Sequence, residues 1–476
     1  MNKLTRLSTL TLAASLVLGG CSGAELPESD TQTSPSDTTV IEQPSYQFTK
    51  EYEGEEFHVL NIEDIYNMHG TIDTPEINGE MLNDTQYETC RTFEELTGVS
   101  FTESKVVLYD LRKTVTNTIA AGDDIYDAMY VNGYDYYTLS SEGYLYNLLE
   151  YEDIQLDKEW WIKASNDANT IGGKLYAADG YTQLMTVDAI TCLIFNESMA
   201  TDLGLAMPFQ TIKDGKWTLD VFNSYIKQAG ALNGDESFAW KADGKSRYGV
   251  AVGTVTEFLY GCGESFLKSE NNVLTFTADS ERFYNICDRI ASMVDGVAEG
   301  MVYFGTGKSD DDSGGHVNCF ESERALFAIS EVCKTSRLRE KNFAFSLLPY
   351  PKYDENQENY QSRKSFPASG AAIPVTASAP EFSAKMLDAM SYLFYNEVWP
   401  VFREYTLEQK QLRSDEAIEM LDIILESSFT WLLYSFDMYS VETAINNKLA
   451  AGESEVASVI ASLKPSIEEK LESINS

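Results

Sequence analysis

The order of apolar segments between residues 56 and 131 constrains the fold of this chain more than any other feature. Strands are predicted over 56–62, 106–109 and 128–131, and helices over Met81–Thr97 and 111–121. Gly98 and Gly122 follow the two helices, where glycine is a favoured end residue. Alternating strands and helices are typical of a parallel sheet with right-handed crossovers. The globular part therefore begins as an α/β fold.

Buried strands continue in the middle of the chain, and helices dominate its end. Further strands are predicted over 190–195, 248–252 and 325–329, and further helices over 219–230, 382–394, 415–433 and 456–473. Two α/β segments followed by a helical end fit two parallel sheets with a cleft between them. In open parallel sheets a ligand lies beyond the carboxyl ends of the strands, so site residues are expected there.

The N-terminus has the features of an export signal. Lys3 and Arg6 precede an apolar run over 7–18, which is shorter than the about 20 residues that span a bilayer. Residues 18–21, LGGC, resemble a bacterial lipobox, so residues 1–20 are predicted to be removed and Cys21 to be acylated. An uncleaved anchor, or ordinary secretion with Cys21 as a free thiol, is the alternative.

Residues 21–55 are predicted to form a flexible tether. They are rich in Ser, Thr, Asp, Glu, Gln and Pro, and such a segment cannot bury enough apolar surface to fold. A flexible chain of about 30 residues has a root-mean-square span of roughly 30 Å. The tether would hold a globular part near the extracellular face of the cell membrane, through the lipid on Cys21 only.

The net charge excludes some classes of partner. The sequence has 75 acidic and 35 basic residues, which gives −40. This balance disfavours nucleic acid, because phosphate binding requires Lys and Arg to displace counterions. It also disfavours flat adhesion to an anionic membrane. With 43% hydrophobic residues the chain is nevertheless ordinary for a globular protein of two or three domains.

The cysteines and histidines indicate neither a metal site nor a cofactor. Six cysteines follow Cys21 without a C-x-x-C spacing: Cys90, Cys192, Cys262, Cys287, Cys319 and Cys333. We predict buried free thiols, although an even number in an exported chain leaves disulfide pairing open. The three histidines are scattered, and the acidic run 310–312 lacks the spacing of a calcium loop.

Several segments resemble the sugar-binding family 1 of extracellular solute-binding proteins of bacterial ABC importers. They are 172–180 (GGKLYAADG) with 192–196 (CLIFN), Pro208 with 214–222 (DGKWTLDVF), 319–329 (CFESERALFAI), and 345–351 (FSLLPYP) with 369–374 (SGAAIP). In the third segment Glu321, Ser322 and Glu323 depart from the glycine that is usual in the family. No single motif is decisive, whereas their order together with the lipobox is.

The resemblance covers about residues 56–473 and implies a two-lobe, periplasmic-binding-protein-like (type II) fold with hinge strands and a helical C-terminal part. One lobe would contain 56–180 and 321–377, and the other 190–320 and 378–476. The resemblance also implies a monomeric receptor that captures a small solute, most often a sugar or oligosaccharide, and delivers it to an ABC permease. The receptor would lie at the extracellular face of the cell membrane.

A sugar site requires aromatic rings that stack on the sugar and polar groups that bind its hydroxyls. Candidates are sought after strand ends, in the 172–180 passage, beside Gly261 and Gly263, and among tryptophans of the helical end. They are Glu63, Asp64, Asn132, Tyr134, Asp179, Tyr181, Glu257, Tyr260, Ser330, Glu331, Trp399 and Trp431. For each of them a turn, cap, hinge or core role is the alternative.

Two other functional classes remain open from the sequence. A peptide or other solute receptor would use the same scaffold. A secreted glycosidase needs two carboxylates about 5–9.5 Å apart, and with 75 acidic residues such a pair is unavoidable. However, the sequence has no G-x-S-x-G, no P-loop and no G-x-G-x-x-G after a strand. We therefore predict a binding protein, not an enzyme.

Overall fold

The computed structural model describes residues 46–238, 240–241, 243–295, 300–303, 315–409, 414–430, 436 and 438–475. Its strands are β1 (Glu56–Ile62), β2 (Ser100–Val106), β3 (Ala128–Asn132), β4 (Thr191–Asn196), β5 (Tyr248–Val252), β6 (Leu267–Glu270), β7 (Val273–Phe276), β8 (Met301–Tyr303), β9 (Ala325–Glu331), β10 (Phe345–Leu348), β11 (Ser362–Arg363), β12 (Ser369–Ala372) and β13 (Ser428–Phe429).

The helices alternate with these strands and dominate the end of the chain. They are α1 (Met81–Thr97), α2 (Leu111–Ala121), α3 (Tyr136–Ser141), α4 (Lys163–Asn169), α5 (Met185–Asp188), α6 (Glu197–Asp202), α7 (Phe209–Lys213), α8 (Leu219–Ala229), α9 (Glu257–Gly261), α10 (Glu281–Asp295), α11 (His316–Glu321), α12 (Pro380–Leu393), α13 (Trp399–Val401), α14 (Asp415–Glu426), and the last helices Tyr439–Ala450 and Ala457–Ile474. Short 3₁₀ segments are Leu108–Asp110, Leu148–Glu150 and Val332–Leu338, and π-helical segments are Phe394–Val398 and Phe402–Gln409.

Two sheets organise the molecule. The first has the order β12-β3-β1-β2, with β1 parallel to β2 and β3, and β12 antiparallel to β3. The second has the order β10-β4-β9-β5-β8, in which β5 is parallel to β8 and β9, whereas β4 is antiparallel to β9 and β10. We call the first sheet with its helices the first lobe, and the second sheet with its helices the second lobe. Because β1, β2 and β3 are parallel, the segments that follow them share one edge.

The chain passes between the lobes through backbone segments that are hydrogen-bonded side by side. The amide of Lys364 donates to Phe429 O (2.8 Å), and the amide of Ser365 donates to Ala189 O (2.8 Å). The β11 segment therefore lies between the segment that leads into β4 and the β13 segment. We call these three stretches the hinge segments: 189–191, 362–365 and 427–430. The order of segments thus supports the α/β fold with hinge strands that the sequence predicts.

Two predicted lobe boundaries are wrong. The sequence assigned 321–377 to the first lobe, but β9 and β10 pair with β4 in the second sheet, and only β12 joins the first. It also assigned 378–476 to the second lobe. However, α12 packs on the first lobe, where the Phe382 ring lies 6.0 Å from that of Phe57. Apolar patterns identify strands and helices, but contacts between distant segments select their partners.

The second strand of the first sheet also differs from its prediction. The apolar run 106–109 predicts a strand, whereas β2 spans Ser100–Val106 and ends where that run begins. This strand pairs with β1 alone and lies at the sheet edge. An edge strand keeps one side open to water, so β2 has the mixed sequence SFTESKV instead of an apolar run.

The predicted tether is shorter than 21–55. The rings of Tyr46 and Tyr392 stack with their centroids 4.7 Å apart, and Tyr46 contacts Trp160 edge-on at 5.7 Å. Tyr52 packs on Phe382 of α12 at 5.0 Å. Aromatic side chains therefore fasten the segment that begins at Tyr46 to the first lobe, and residues 21–45 lie outside the described part of the chain.

Apolar packing continues from one lobe into the other at the hinge segments. One cluster of buried side chains includes Phe57 and Phe93 of the first lobe and Ile194 and Ala328 of the second sheet. A separate cluster around Trp217 and Phe258 fills the second lobe. Each of the six cysteines after Cys21 is buried and unpaired, as predicted. Among the described helices, none is both long and apolar enough to cross a membrane.

Candidate ligand-binding site

Four aromatic side chains lie at the edge where the parallel strands of the first sheet end. Tyr66, Tyr109 and Tyr134 follow β1, β2 and β3, and they are 42%, 63% and 47% exposed. The hydroxyls of Tyr66 and Tyr109 share a hydrogen bond of 2.6 Å, and the Phe366 ring lies 6.4 Å from that of Tyr109. We call Tyr66, Tyr109, Tyr134 and Phe366 the aromatic rim. Such rings offer an apolar face together with a polar tip.

The loop that carries Tyr66 has an unusual backbone. Tyr66 and Asn67 have φ values of 57° and 67°, in the left-handed region that bulky side chains rarely adopt. The carboxylate of Asp64 joins the two ends of this loop, because its Oδ1 accepts hydrogen bonds from the amides of Gly70 (2.8 Å) and Thr71 (2.7 Å). Non-glycine residues in this conformation concentrate at functional sites, where the surrounding structure fixes them.

Residues of the second lobe contact the aromatic rim. Lys334 Nζ donates to Tyr66 O (3.1 Å) and lies 5.6 Å from the centroid of the Tyr66 ring. Asn67 Nδ2 donates to Ser336 Oγ (3.3 Å). Glu331, the last residue of β9, lies nearby, and burial raises the pKa of its carboxyl although Lys334 lowers it. The carboxyl end of β9 in the second lobe thus meets the strand ends of the first sheet at the aromatic rim.

The segment after β3 is organised by Asn132 and Arg112. Asn132 Oδ1 accepts from the amides of Tyr134 (2.8 Å) and Asp135 (3.0 Å), which makes Asn132 the turn residue of this segment. The Arg112 guanidinium lies 5.1 Å from the centroid of the Tyr134 ring, and its Nε donates to Asp135 Oδ1 (2.7 Å). Burial raises the pKa of Asp135, whereas Arg112 lowers it. Tyr134 is therefore the exposed side chain of this segment.

A buried cluster of charges lies in the second lobe at the β11 segment. Arg363 Nε donates to Glu257 Oε1 (2.8 Å), and Thr191 Oγ1 donates to Glu257 Oε2 (3.2 Å). Glu442 lies beside them and accepts a hydrogen bond of 2.6 Å from Thr256 Oγ1. Burial raises the pKa of Glu442 to about 7, against the opposing effect of Arg363. One guanidinium thus faces two buried carboxyl groups.

A second buried ion pair lies in the first lobe. Lys364 Nζ is 3.0 Å from Asp179 Oδ2, and Ser165 Oγ donates to the same oxygen (2.5 Å). Asn166 Oδ1 accepts from the amide of Asp179 (2.7 Å). The carboxylate and the amide of Asp179 are therefore both engaged within the protein.

The predicted site residues fall into separate places. Six lie along the edge of the aromatic rim: Glu63, Asp64, Asn132, Tyr134, Ser330 and Glu331. Three lie around the hinge segments: Asp179, Glu257 and Tyr260. Glu63 is exposed, whereas Ser330 is buried and donates to Glu331 O (3.3 Å). Contact with a ligand stays a prediction for all of them.

Tyr181 and Trp399 contact rings that do not belong to the aromatic rim. The Tyr181 ring lies 5.2 Å from that of Tyr395 and 4.9 Å from that of Trp399, so two candidates share one half-buried group in the first lobe. Trp431 lies outside the described residues. No cluster of potential metal ligands occurs among the residues that the structure describes.

Among the cavities that the described residues line, two lie between the lobes. The first, of about 280 Å³, is lined by Tyr137 and Tyr176 of the first lobe and by Phe436 and Ser473 from the end of the chain. The second, of about 290 Å³, borders the hinge segments and is lined by Tyr260, Lys268, Phe429 and Thr430, among others. Pockets for small ligands start at roughly 300 Å³, so each cavity approaches the space that a small solute needs.

Sequence reasoning missed several residues of this region. Tyr66 follows the predicted strand 56–62, which is the signal that identifies Tyr134, but it is not among the predicted site residues. Tyr109 is the last residue of the predicted strand 106–109, so that signal does not select it. Arg363 and Lys364 lie in a segment without a strand-like apolar pattern, and Glu442 lies on a helix of ordinary composition. Nothing in the sequence indicates that these three charged side chains are buried, because the burial arises from packing between distant segments.

Comparison with solved structures identifies the fold. A cyclo/maltodextrin-binding protein complexed with maltotetraose superposes with a TM-score of 0.61 at 15% identity, covering 90% of this chain and 100% of that one. The cyclic α-maltosyl-1,6-maltose binding protein of Arthrobacter globiformis gives 0.58 at 13% identity, covering 87% and 98%. UgpB of Mycobacterium tuberculosis, in complex with glycerophosphocholine, gives 0.55 at 11% identity, covering 88% and 98%.

These structures show that the chain has the two-lobe fold of ABC solute-binding proteins. The predicted fold class is thereby confirmed. No protein-family model and no curated protein sequence matches the chain. The three similar structures are described as binding proteins or as a complex with a small solute, and their solutes range from oligosaccharides to a glycerophosphodiester. The fold therefore does not select one solute.

Proposed function

We propose that this chain is the extracellular solute receptor of an ABC importer and that it captures a sugar or oligosaccharide between its lobes. The observation that carries the proposal is the aromatic rim, with three exposed tyrosines at the strand ends opposite Lys334 and Glu331. Sugars combine apolar faces with hydroxyls, which suits rings surrounded by charged side chains. The receptor would act as a monomer and pass the solute to permease subunits.

The expected mechanism is closure of the two lobes around the solute. A solute that contacts both lobes only in the closed form shifts the population toward that form by its differential affinity. Stacked aromatic contacts contribute about 0.5–1.5 kcal/mol each beyond the buried area. Hydrogen bonds to charged groups contribute about 1.5–3 kcal/mol each. A few contacts of each kind together give a binding free energy of roughly −8 kcal/mol, which corresponds to a micromolar dissociation constant.

A thermal-shift screen of the chain from Ser22 onward tests the proposal. The probes are maltotetraose, other oligosaccharides, glycerophosphocholine, amino acids and short peptides. A ligand that binds only the folded state raises the melting temperature, so we expect a rise with at least one saccharide. A melting temperature that rises with peptides alone would show that the solute is a peptide and not a sugar. A new reducing end formed from an oligosaccharide would indicate an enzyme.

Replacing Tyr109 with alanine should weaken binding of the saccharide from that screen about tenfold. Tyr109 is the most exposed ring of the aromatic rim, so its removal costs little stability but deletes a stacking surface. Isothermal titration calorimetry measures the dissociation constant. Tyr87→Ala on α1, a half-buried tyrosine that contacts Arg91, is the control and should leave the constant unchanged. Equal dissociation constants in the wild type and in Tyr109→Ala would show that the aromatic rim is not part of the binding site.

The anchor belongs to the same proposal: Cys21 carries the lipid and residues 21–45 form the tether. Replacing Cys21 with serine removes the acylated thiol, so we expect the protein to move from the membrane fraction to the medium. Fractionation with immunoblotting measures this, and mass spectrometry of the wild-type N-terminus detects the acyl groups. Retention of Cys21→Ser in the membrane fraction would indicate a different anchor.

A further inference from the structure

Two consecutive residues of the hinge segment 362–365 form buried ion pairs with opposite lobes. Arg363 Nε donates to Glu257 Oε1 (2.8 Å) at the start of α9, in the second lobe. Lys364 Nζ lies 3.0 Å from Asp179 Oδ2, in the first lobe. In extended backbone, successive side chains point to opposite faces, which is how neighbouring residues reach different lobes.

Both ion pairs are deeply buried. Arg363, Glu257, Lys364 and Asp179 are 8%, 2%, 2% and 6% exposed. Separating either pair would leave a buried charge without its partner, which is strongly unfavourable. Each of these side chains should therefore move together with the lobe that holds it.

This arrangement determines where the chain can bend. If Arg363 moves with the second lobe and Lys364 with the first, a rotation between the lobes must be absorbed by the backbone torsions between these two residues. The backbone on either side is held, because Ser362 N donates to Ser427 O (3.1 Å) and Ser365 N donates to Ala189 O (2.8 Å). The amide between Arg363 and Lys364 itself donates to Phe429 O, so the torsions that flank this amide remain to absorb the rotation. Hinges of this kind depend on a few residues that absorb large changes of φ and ψ.

We propose that Arg363 and Lys364 are positioning residues that place the pivot of lobe closure at the ψ torsion of Arg363 and the φ torsion of Lys364 and restrict the resting angle between the lobes. The inference rests on the proposed function, because it concerns the closure that traps a solute. The experiment below needs no solute, so it can fail or succeed independently of that function.

Spin labels on the two lobes measure the angle distribution. Asn117→Cys on α2 and Asn285→Cys on α10 provide exposed labelling sites in the first and the second lobe. The cysteines that the structure describes are buried, so labelling is selective in the chain from Ser22 onward. Pulsed electron paramagnetic resonance then gives the distribution of distances between the labels.

The test variant combines Lys364→Met with Asp179→Leu. Replacing both partners by apolar side chains avoids an unpaired charge and keeps the melting temperature near that of the wild type. We expect the distance distribution to become about twice as wide, because the pivot loses its attachment to the first lobe. The control is Lys163→Met with Asp167→Leu, an exposed pair on α4 (63% and 65% exposed), which should leave the distribution unchanged.

An unchanged width in the folded test variant overturns the inference and makes the pair an ordinary part of the core. If that variant does not fold, Lys364→Gln retains hydrogen bonding without the charge and should broaden the distribution in the same direction. A distance distribution of wild-type width in Lys364→Gln would then overturn the inference in the same way. Maltotetraose, added last, narrows the distribution only if it is a solute of the protein, so its failure bears on the proposed function and not on the pivot.

Discussion

Replacing Arg363 with methionine is expected to lower the free energy of unfolding by about 3–5 kcal/mol, because the buried Glu257 carboxylate loses its ion-pair partner. Methionine is similar in length to arginine and fills the same space. The decrease in the free energy of unfolding therefore measures mainly the loss of the positive charge. Urea unfolding at pH 7.5, followed by circular dichroism and tryptophan fluorescence, measures the change in the midpoint and in the free energy.

The matched control for this prediction is Arg289→Met. Arg289 pairs with Asp220 on the surface, where the two side chains are 37% and 81% exposed, and exposed pairs contribute little to stability. We expect its unfolding curve to overlay that of the wild type. If Arg363→Met and Arg289→Met unfold at the same urea concentration, the buried pair contributes no more than the surface pair and the prediction is wrong.

Replacing Glu442 with glutamine is expected to stabilise the protein at pH 8 by about 3 kcal/mol and to have almost no effect at pH 4.5. Burial raises the pKa of Glu442 from 4.5 to about 7. Between these pH values the folded protein retains a proton that the unfolded chain has lost. The free energy of unfolding therefore falls as pH rises through this window and stays lower above pH 7. Glutamine does not titrate and escapes this loss.

The groups that face Glu442 act on its pKa in both directions, and burial outweighs those that lower it. Glu257 of α9 adds a like charge and raises the pKa with burial, whereas Arg363 of β11 and the hydrogen bonds from Thr256 and Tyr260 lower it. Melting temperatures of wild type and variant between pH 4.5 and 8 measure the difference. Glu469→Gln, on the exposed side of the last helix, is the control and should follow the wild type throughout. A variant less stable than the wild type at pH 8 would contradict the assignment.

Several elements of both lobes could be predicted from local patterns. The helices Met81–Thr97 and Leu111–Ala121 end where glycine follows, and Gly98 and Gly122 adopt left-handed φ values of 75° and 70°. The buried strands β3, β4 and β5 lie within a residue of their predicted bounds. These elements are set by apolar periodicity and end residues, which depend on neighbours in sequence.

The placement of the candidate site was only partly predictable. Tyr134 is identified because it follows a predicted strand, and the same rule gives Tyr66. Tyr109 lies within the predicted strand 106–109 and follows a strand only because β2 ends at Val106. The partners of Asp179 and Glu257 are Lys364 and Arg363, which lie more than 100 residues away in the sequence. A carboxylate that would suit a sugar hydroxyl is thus occupied by a cation whose position depends on how the hinge segments align.

By itself, the sequence determined the α/β class, the positions of most strands and helices, and the resemblance to two-lobe solute-binding proteins, because these depend on patterns of neighbouring residues. Only the tertiary structure decided that β9 and β10 join the second sheet, that α12 packs on the first lobe, and that Arg363 and Lys364 bind opposite lobes. Strand pairing and the burial of charge arise from contacts between distant segments, whose energies no local pattern contains.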